Sequence, residues 1–162
     1  MTKLPFKILG VEHIAIAVSD IRTSTSFFNS FLGLEHIKTE KIKNQKVYTH
    51  IYDSKNSKIE LLEAISNDSP ITNFLKKRGE GIHHIAFKVD KLQIALNYLK
   101  DNGISLINET PQIGAEGFLI AFLHPKSTNG VLVELSSSPD IFAPPKSMRS
   151  QYQFLCNPIF QM

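Results

Sequence analysis

Little in this chain of 162 residues points to a specialised environment. It has a single cysteine, Cys156, so it can form no internal disulfide and carries no thiolate metal spacing. Tryptophan is absent. No apolar run approaches the length of a membrane span, and the opening MTKLPFKILG lacks the long apolar core of a signal peptide. Neither sign of charge dominates: the formal net charge is +3, and basic residues cluster only briefly, at Lys76, Lys77 and Arg78. That excludes the footprint of a nucleic-acid binder. At 42% hydrophobic and 20% charged, the composition is that of an ordinary globular domain with enough chain for a sizeable core. These absences predict a cytoplasmic protein with neither a membrane nor a nucleic-acid partner.

What the chain does contain is a repeat. Aligning His13 with His84 sets HIAIAVSD over HIAFKVDK, identical or similar at most positions. An amphipathic stretch follows in each copy, IRTSTSFFNSFLGL and LQIALNYLKDNGI. Each stops at a glycine, Gly33 and Gly103, as a helix C-terminus requires. Strand-like runs come next, KVYTHIYD and FLIAFLHP, then the turn-rich pieces SKNS and KSTNG. Both copies close on an apolar strand with a glutamate, KIELLE and VLVELS. The expected fold is therefore α+β, two tandem βαβββ modules. The boundaries read as one domain over 1–138, with modules at about 10–65 and 81–138 and a linker helix within 66–80. In that linker Ser69 suits the N-cap, Pro70 the first turn and Gly79 the stop. The proline-rich remainder, 139–162, reads as a C-terminal extension. Its Phe142, Tyr152, Phe154 and Phe160 suit packing on the body or on a partner chain.

Strand alternation then sorts the side chains. Ile14, Ile16 and Val18 share one face of the first strand, opposite His13, Ala15 and Ala17. Ile85, Phe87 and Val89 likewise oppose His84, Ala86 and Lys88. The aliphatic faces are what a helix would cover, and the alanine faces leave room beside each histidine. Glu60 and Glu134 face away from the aliphatic neighbours on their own strands. All four polar residues can thus share one concave surface. A lone histidine on an apolar strand is ordinarily a hydrogen-bonded core residue, and a lone glutamate near a strand end is ordinarily solvated. Recurrence of both at matched repeat positions favours a metal site. Burying two carboxylates costs several kcal/mol each unless compensated, and two imidazoles with two carboxylates around a divalent cation remove that cost together. A nitrogen and oxygen set without thiolate suits an open site for Co²⁺, Mn²⁺, Zn²⁺, Ni²⁺ or Fe²⁺. By the same alternation His83 points away from the site, where it is expected to support the site from behind or to pack. His36 and His50 lack repeat partners, so surface or wall positions are expected for them, and His124 and Lys126 fall in a turn, where exposure is expected.

The motifs VEHIAIAVSDI, KIELLE, DSPITNFLKKRGEGIHHIAFKVD and PQIGAEGFLIAFLHPKSTNGVLVELS resemble the vicinal oxygen chelate superfamily and, within it, the methylmalonyl-CoA epimerase family. The resemblance spans about residues 10–137. It implies a half-barrel around a divalent metal, Co²⁺ foremost, held by His13, Glu60, His84 and Glu134, with glutamine replacing glutamate at position 60 in some relatives. It implies an acyl-CoA substrate, a homodimer, and inversion of an α-carbon by proton abstraction and return through a metal-stabilised enolate. Glu134 carries over as a catalytic base. A second base does not: the region where relatives place a glutamate reads KVYTHIYD, with Thr49 and His50, of which only His50 could serve. The loop GAEGF also departs, with Glu116 and Phe118 where relatives more often carry histidine and a basic residue. Two other readings stay open at this point. One is another metal-dependent member of the superfamily, such as a lactoylglutathione lyase. The other is a non-catalytic binding or resistance protein, which the complete ligand set disfavours.

Overall fold

The computed structural model describes residues 4–138; Cys156 and the extension 139–162 lie outside the described residues. Each half folds as β-α-β-β-β. The first half comprises β1 (Ile8–Ala17), α1 (Ile21–Thr25), β2 (Glu35–Ile42), β3 (Val47–Asp53) and β4 (Lys58–Ala64). Helix α2 (Pro70–Arg78) connects to β5 (Gly81–Val89), α3 (Leu92–Asp101), β6 (Gln112–Ile113), β7 (Leu119–Leu123) and β8 (Val133–Ser137). The strands form one curled mixed sheet in the order β2-β3-β4-β1-β5-β8-β7-β6. This is the half-barrel that the family resemblance implies, built from the two βαβββ modules the repeat predicts. Read outward from its centre, each half runs first strand, last strand, third, second, so the two copies meet about a pseudo-twofold at the antiparallel β1–β5 pair.

That symmetry sets the register. In the parallel pair β1–β4, Ala15 lies beside Glu60; in the parallel pair β5–β8, Ala86 lies beside Glu134. Across the seam His13 opposes Ala86 and Ala15 opposes His84. Each glutamate therefore flanks an alanine two residues past a histidine, with no bulky side chain between them.

The helices cover the other surfaces. Leu92, Ala95 and Leu96 of α3 bury against Val89, Ala121 and Leu135. Ile21 packs with Val18, Tyr52 and Leu61. Helix α2, capped by the Ser69 hydroxyl accepting from the Ile71 N–H, lays Ile71 over Ala15, Ala17, Val47 and Leu62. This corrects one expectation. The room beside Ala15 and Ala17 is filled by the connecting helix, so the open end of the concave face is confined to the histidine end of β1.

Two further features depart from the sequence pattern. The first amphipathic stretch is α-helical only over Ile21–Thr25 and widens into a π-helical turn at Ser26–Phe31 before Gly33 (φ 68°) ends it. The extra residue per turn seats Phe28 near Tyr52, ring centroids 6.2 Å apart. The second copy's outer strand, β6, follows Pro111 and shrinks to two residues, against eight in β2. The chain that leaves it, Gly114–Phe118, crosses over the concave face instead of extending the sheet.

Candidate active site

The site lies where β1, β4, β5 and β8 converge under that crossing segment. His13, Glu60, His84 and Glu134 are all buried and line one small cavity with Thr49, Ser136 and Glu116. The imidazole Nε2 atoms of His13 and His84 face each other at 2.9 Å. Glu134 lies 3.5 Å from His84 Nε2 and 4.0 Å from His13 Nε2. These three groups can address one point: a ligand atom from each lies within 4.8 Å of the others. Glu60 approaches from the far side of the His13 ring, 3.6 Å from Nδ1, where it forms a second group with His13 and Glu12.

Glu12 escaped the sequence reading. Strict alternation turns it away from His13, but β1 carries an irregularity there: Val11 pairs with Phe87 and His13 with Ala86, leaving Glu12 unopposed. Such a bulge re-aims side chains, and bulges concentrate beside active sites. The Glu12 carboxylate turns inward and bonds His13 Nδ1. Strand β5 does the same one residue before its own histidine. Ala15 pairs with His84 and Ile16 with Ile82, so His83 is the unopposed residue, and its Nδ1 lies 2.9 Å from His84 Nδ1. In both halves the residue before the site histidine thus bonds that ring's outer nitrogen. The repeat alignment of EH with HH was the available signal, yet it carries no information on register. His83 also packs edge-on to Phe74 at 5.0 Å, and Phe122 packs edge-on to His84 at 5.2 Å.

Burial and neighbouring charge set the protonation states. Burial pushes Glu134 up to about 8, His13 only partly offsetting it and Glu60 adding to it. Burial likewise raises Glu60. Burial alone would lower His13, but the carboxylates of Glu60, Glu12 and Glu134 lift it to about 9. Burial, then the charges of His13 and His83, holds His84 well below the usual imidazole range. Burial takes His83 down to about 4. For Glu12 the penalty of burial is outweighed by His13 and Lys58, which hold its carboxyl at about 2. Two dry carboxylates that resist ionising, next to an imidazole kept neutral, form a donor set whose cost a divalent cation would relieve. The residues therefore fit such an ion, with nitrogen and oxygen donors only.

His50 does not reach the cavity. Thr49 does, buried at 2% exposure, so the next residue along β3 faces the other way. The His50 ring bonds the Thr39 hydroxyl at 2.9 Å and lies near His36 in a separate cleft with Tyr52. His124 is exposed and accepts from the Lys126 N–H, capping a short turn.

Comparison with known proteins agrees with this fold. The model of the Glyoxalase/Bleomycin resistance protein/Dioxygenase superfamily matches residues 12–122. The chain is 43% identical over 125 residues to the uncharacterized protein YqjC of Bacillus subtilis, covering 77% of this chain and 89% of that one. It is 40% identical over 126 residues to the mitochondrial methylmalonyl-CoA epimerase of Dictyostelium discoideum, covering 77% and 76%. A variant of Streptomyces coelicolor methylmalonyl-CoA epimerase, in complex with 2-nitronate-propionyl-CoA, superposes with a TM-score of 0.78 at 33% identity, covering 82% of this chain and 99% of that one. The chain therefore belongs to the methylmalonyl-CoA epimerase family of that superfamily, a family of isomerases.

Proposed function

We propose that this chain is a metal-dependent epimerase that inverts the α-carbon of methylmalonyl-CoA, or of a closely related acyl-CoA thioester, in the cytoplasm. The observation that carries the reading is the buried convergence of His13, His84 and Glu134 in a chain so similar to epimerases of that substrate. His13, Glu60, His84 and Glu134 are the proposed ligands of a divalent cation, Co²⁺ by family likeness. Bound there, the ion would polarise the oxygens that flank the reacting carbon. The chain's own residues handle the proton. Glu134, with a proton affinity pushed toward neutrality, is matched to taking and returning an α-proton at physiological pH. Return on the opposite face requires a second donor across the cavity. His50 lies outside that cavity, and Thr49 ionises too weakly to serve. Among the described residues no helix is long and apolar enough to cross a membrane. The working unit in this reading is a homodimer, as the family resemblance implies; mass in solution checks it.

The test is isotopic. Incubated with methylmalonyl-CoA in D₂O, the metal-loaded protein takes up deuterium at the α-carbon, and the chelated protein does not. Equally slow exchange by both preparations sinks the proposal for this substrate.

His83 supplies a narrower expectation. Its contact with Nδ1 fixes which nitrogen His84 presents to the cavity. His83→Phe keeps the ring packed on Phe74 but removes that partner. Metal affinity should fall about ten- to a hundredfold, with turnover recovered in excess metal. Unchanged affinity in a competition titration would show that His83 serves packing alone.

A further inference from the structure

Glu116 is the carboxyl group of the cavity that the reaction above leaves without a task. Of the others, Glu60 and Glu134 are proposed ligands. Glu12 bonds His13 Nδ1 and, at 2.9 Å, the Lys58 ammonium. Those three stand on β4, β8 and β1 of the sheet. Glu116 alone reaches the cavity from the Gly114–Phe118 segment that crosses over it. Its backbone is left-handed, φ 55°, a conformation that is costly for a non-glycine residue and clusters at functional sites.

The register shows where the segment carries it. The Glu116 N–H donates to the Glu40 carboxylate at 2.7 Å. Glu40 on β2 pairs with Thr49 on β3, and directly paired residues share a face of the sheet. Thr49 lines the cavity, so Glu116 is pinned beside the wing of the sheet that carries Thr49. Glu134 enters from the other wing, because β4, β1 and β5 lie between β3 and β8 in the strand order. In a curled sheet the two carboxyl groups therefore meet the cavity from opposite wings. The Glu116 carboxylate is held there by the Lys58 ammonium, which it bonds, and by Lys38 at 3.7 Å.

We propose that Glu116 is the second catalytic acid–base group, serving the face of the α-carbon that Glu134 does not. From one epimer Glu116 takes the α-proton while the C–H electron pair moves toward the thioester carbonyl, and Glu134 gives its proton to the opposite face. From the other epimer the two exchange roles. Lys58 and Lys38 position the Glu116 carboxylate. As Glu116 gains a proton, the Lys58 ammonium keeps Glu12 as its charged partner. The Glu116 side chain is 20% exposed, so it trades its proton with solvent between turnovers. The crossing segment thus supplies the donor that Thr49 cannot. This assignment rests on the acyl-CoA reading above.

Each epimer of methylmalonyl-CoA, supplied separately in D₂O to the full, metal-loaded chain, tests it. Both α-deuterium and configuration are read in the recovered thioester. The wild type inverts both epimers and labels the α-carbon. Glu116→Gln lowers inversion about 10²- to 10⁴-fold. It still exchanges the α-proton of one epimer, the one whose proton faces Glu134, with configuration kept, and leaves the other epimer unlabelled. Glu134→Gln shows the converse preference. Exchange retained on a single epimer also shows that the variant is folded and loaded. Inversion by Glu116→Gln near the wild-type rate, or equal loss of exchange from both epimers, overturns the assignment. A wild-type chain that neither labels nor inverts either epimer instead overturns the acyl-CoA reading beneath it.

Discussion

Glu134→Gln should abolish inversion of methylmalonyl-CoA while leaving the bound ion in place. The amide oxygen of glutamine can still serve as a ligand, but it takes up no proton near neutrality. The loss is that of a general base, about 10²- to 10⁴-fold in turnover. The matched change Glu60→Gln separates the two roles, because that position is proposed to hold the ion and nothing more. It should keep most of the activity. Metal analysis of both variants beside the inversion rate gives the comparison. Equal losses in the two would show that Glu134 acts through the ion alone.

Loading the metal should stabilise the fold by an amount set by its affinity. At a free concentration a hundred times Kd, binding contributes about 2.7 kcal/mol, which for a chain of this size raises Tm by roughly 5 to 10 °C. The gain should depend on pH in one direction. Glu134 and His13 hold protons up to about 8 and about 9, and both protons must leave before the groups ligate. Affinity therefore climbs as pH rises from 6 to 9, by about tenfold per unit for each proton displaced. Below that window the protons compete and the stabilisation fades. Melting curves with and without Co²⁺ at several pH values read both effects. A Tm indifferent to the ion at pH 9 would count against the ligand set.

Much of this was legible in the letters. The recurrence of His13 at His84 and of Glu60 at Glu134 survives because duplication preserves strand order, and alternation assigns each residue a face. That was enough to reach the sheet and the four polar residues. The remainder depends on pairing between strands, which alternation within one strand does not report. Glu12 turns into the cavity, and His83 reaches the outer nitrogen of His84 from the other side, at points where β1 and β5 slip against each other by a residue. His50 keeps the wall position expected of a histidine without a repeat partner: of two adjacent residues on β3 only one can face the cavity, and that one is Thr49. Glu116 looked like a loss of positive charge at the mouth. Its partner Lys58 lies on another strand of the other module, so their meeting is a product of tertiary structure alone.

The paired bulges also bear on how the molecule assembles. A strand with a surplus residue cannot slide along its neighbour by one step without stranding the kink against a flat partner. With two kinks in β1 and one in β5 at the central seam, the duplicated halves have a single way to dock. Outer strands can then shorten and drift, as the two-residue β6 has done, without disturbing the alignment that brings the two histidines face to face.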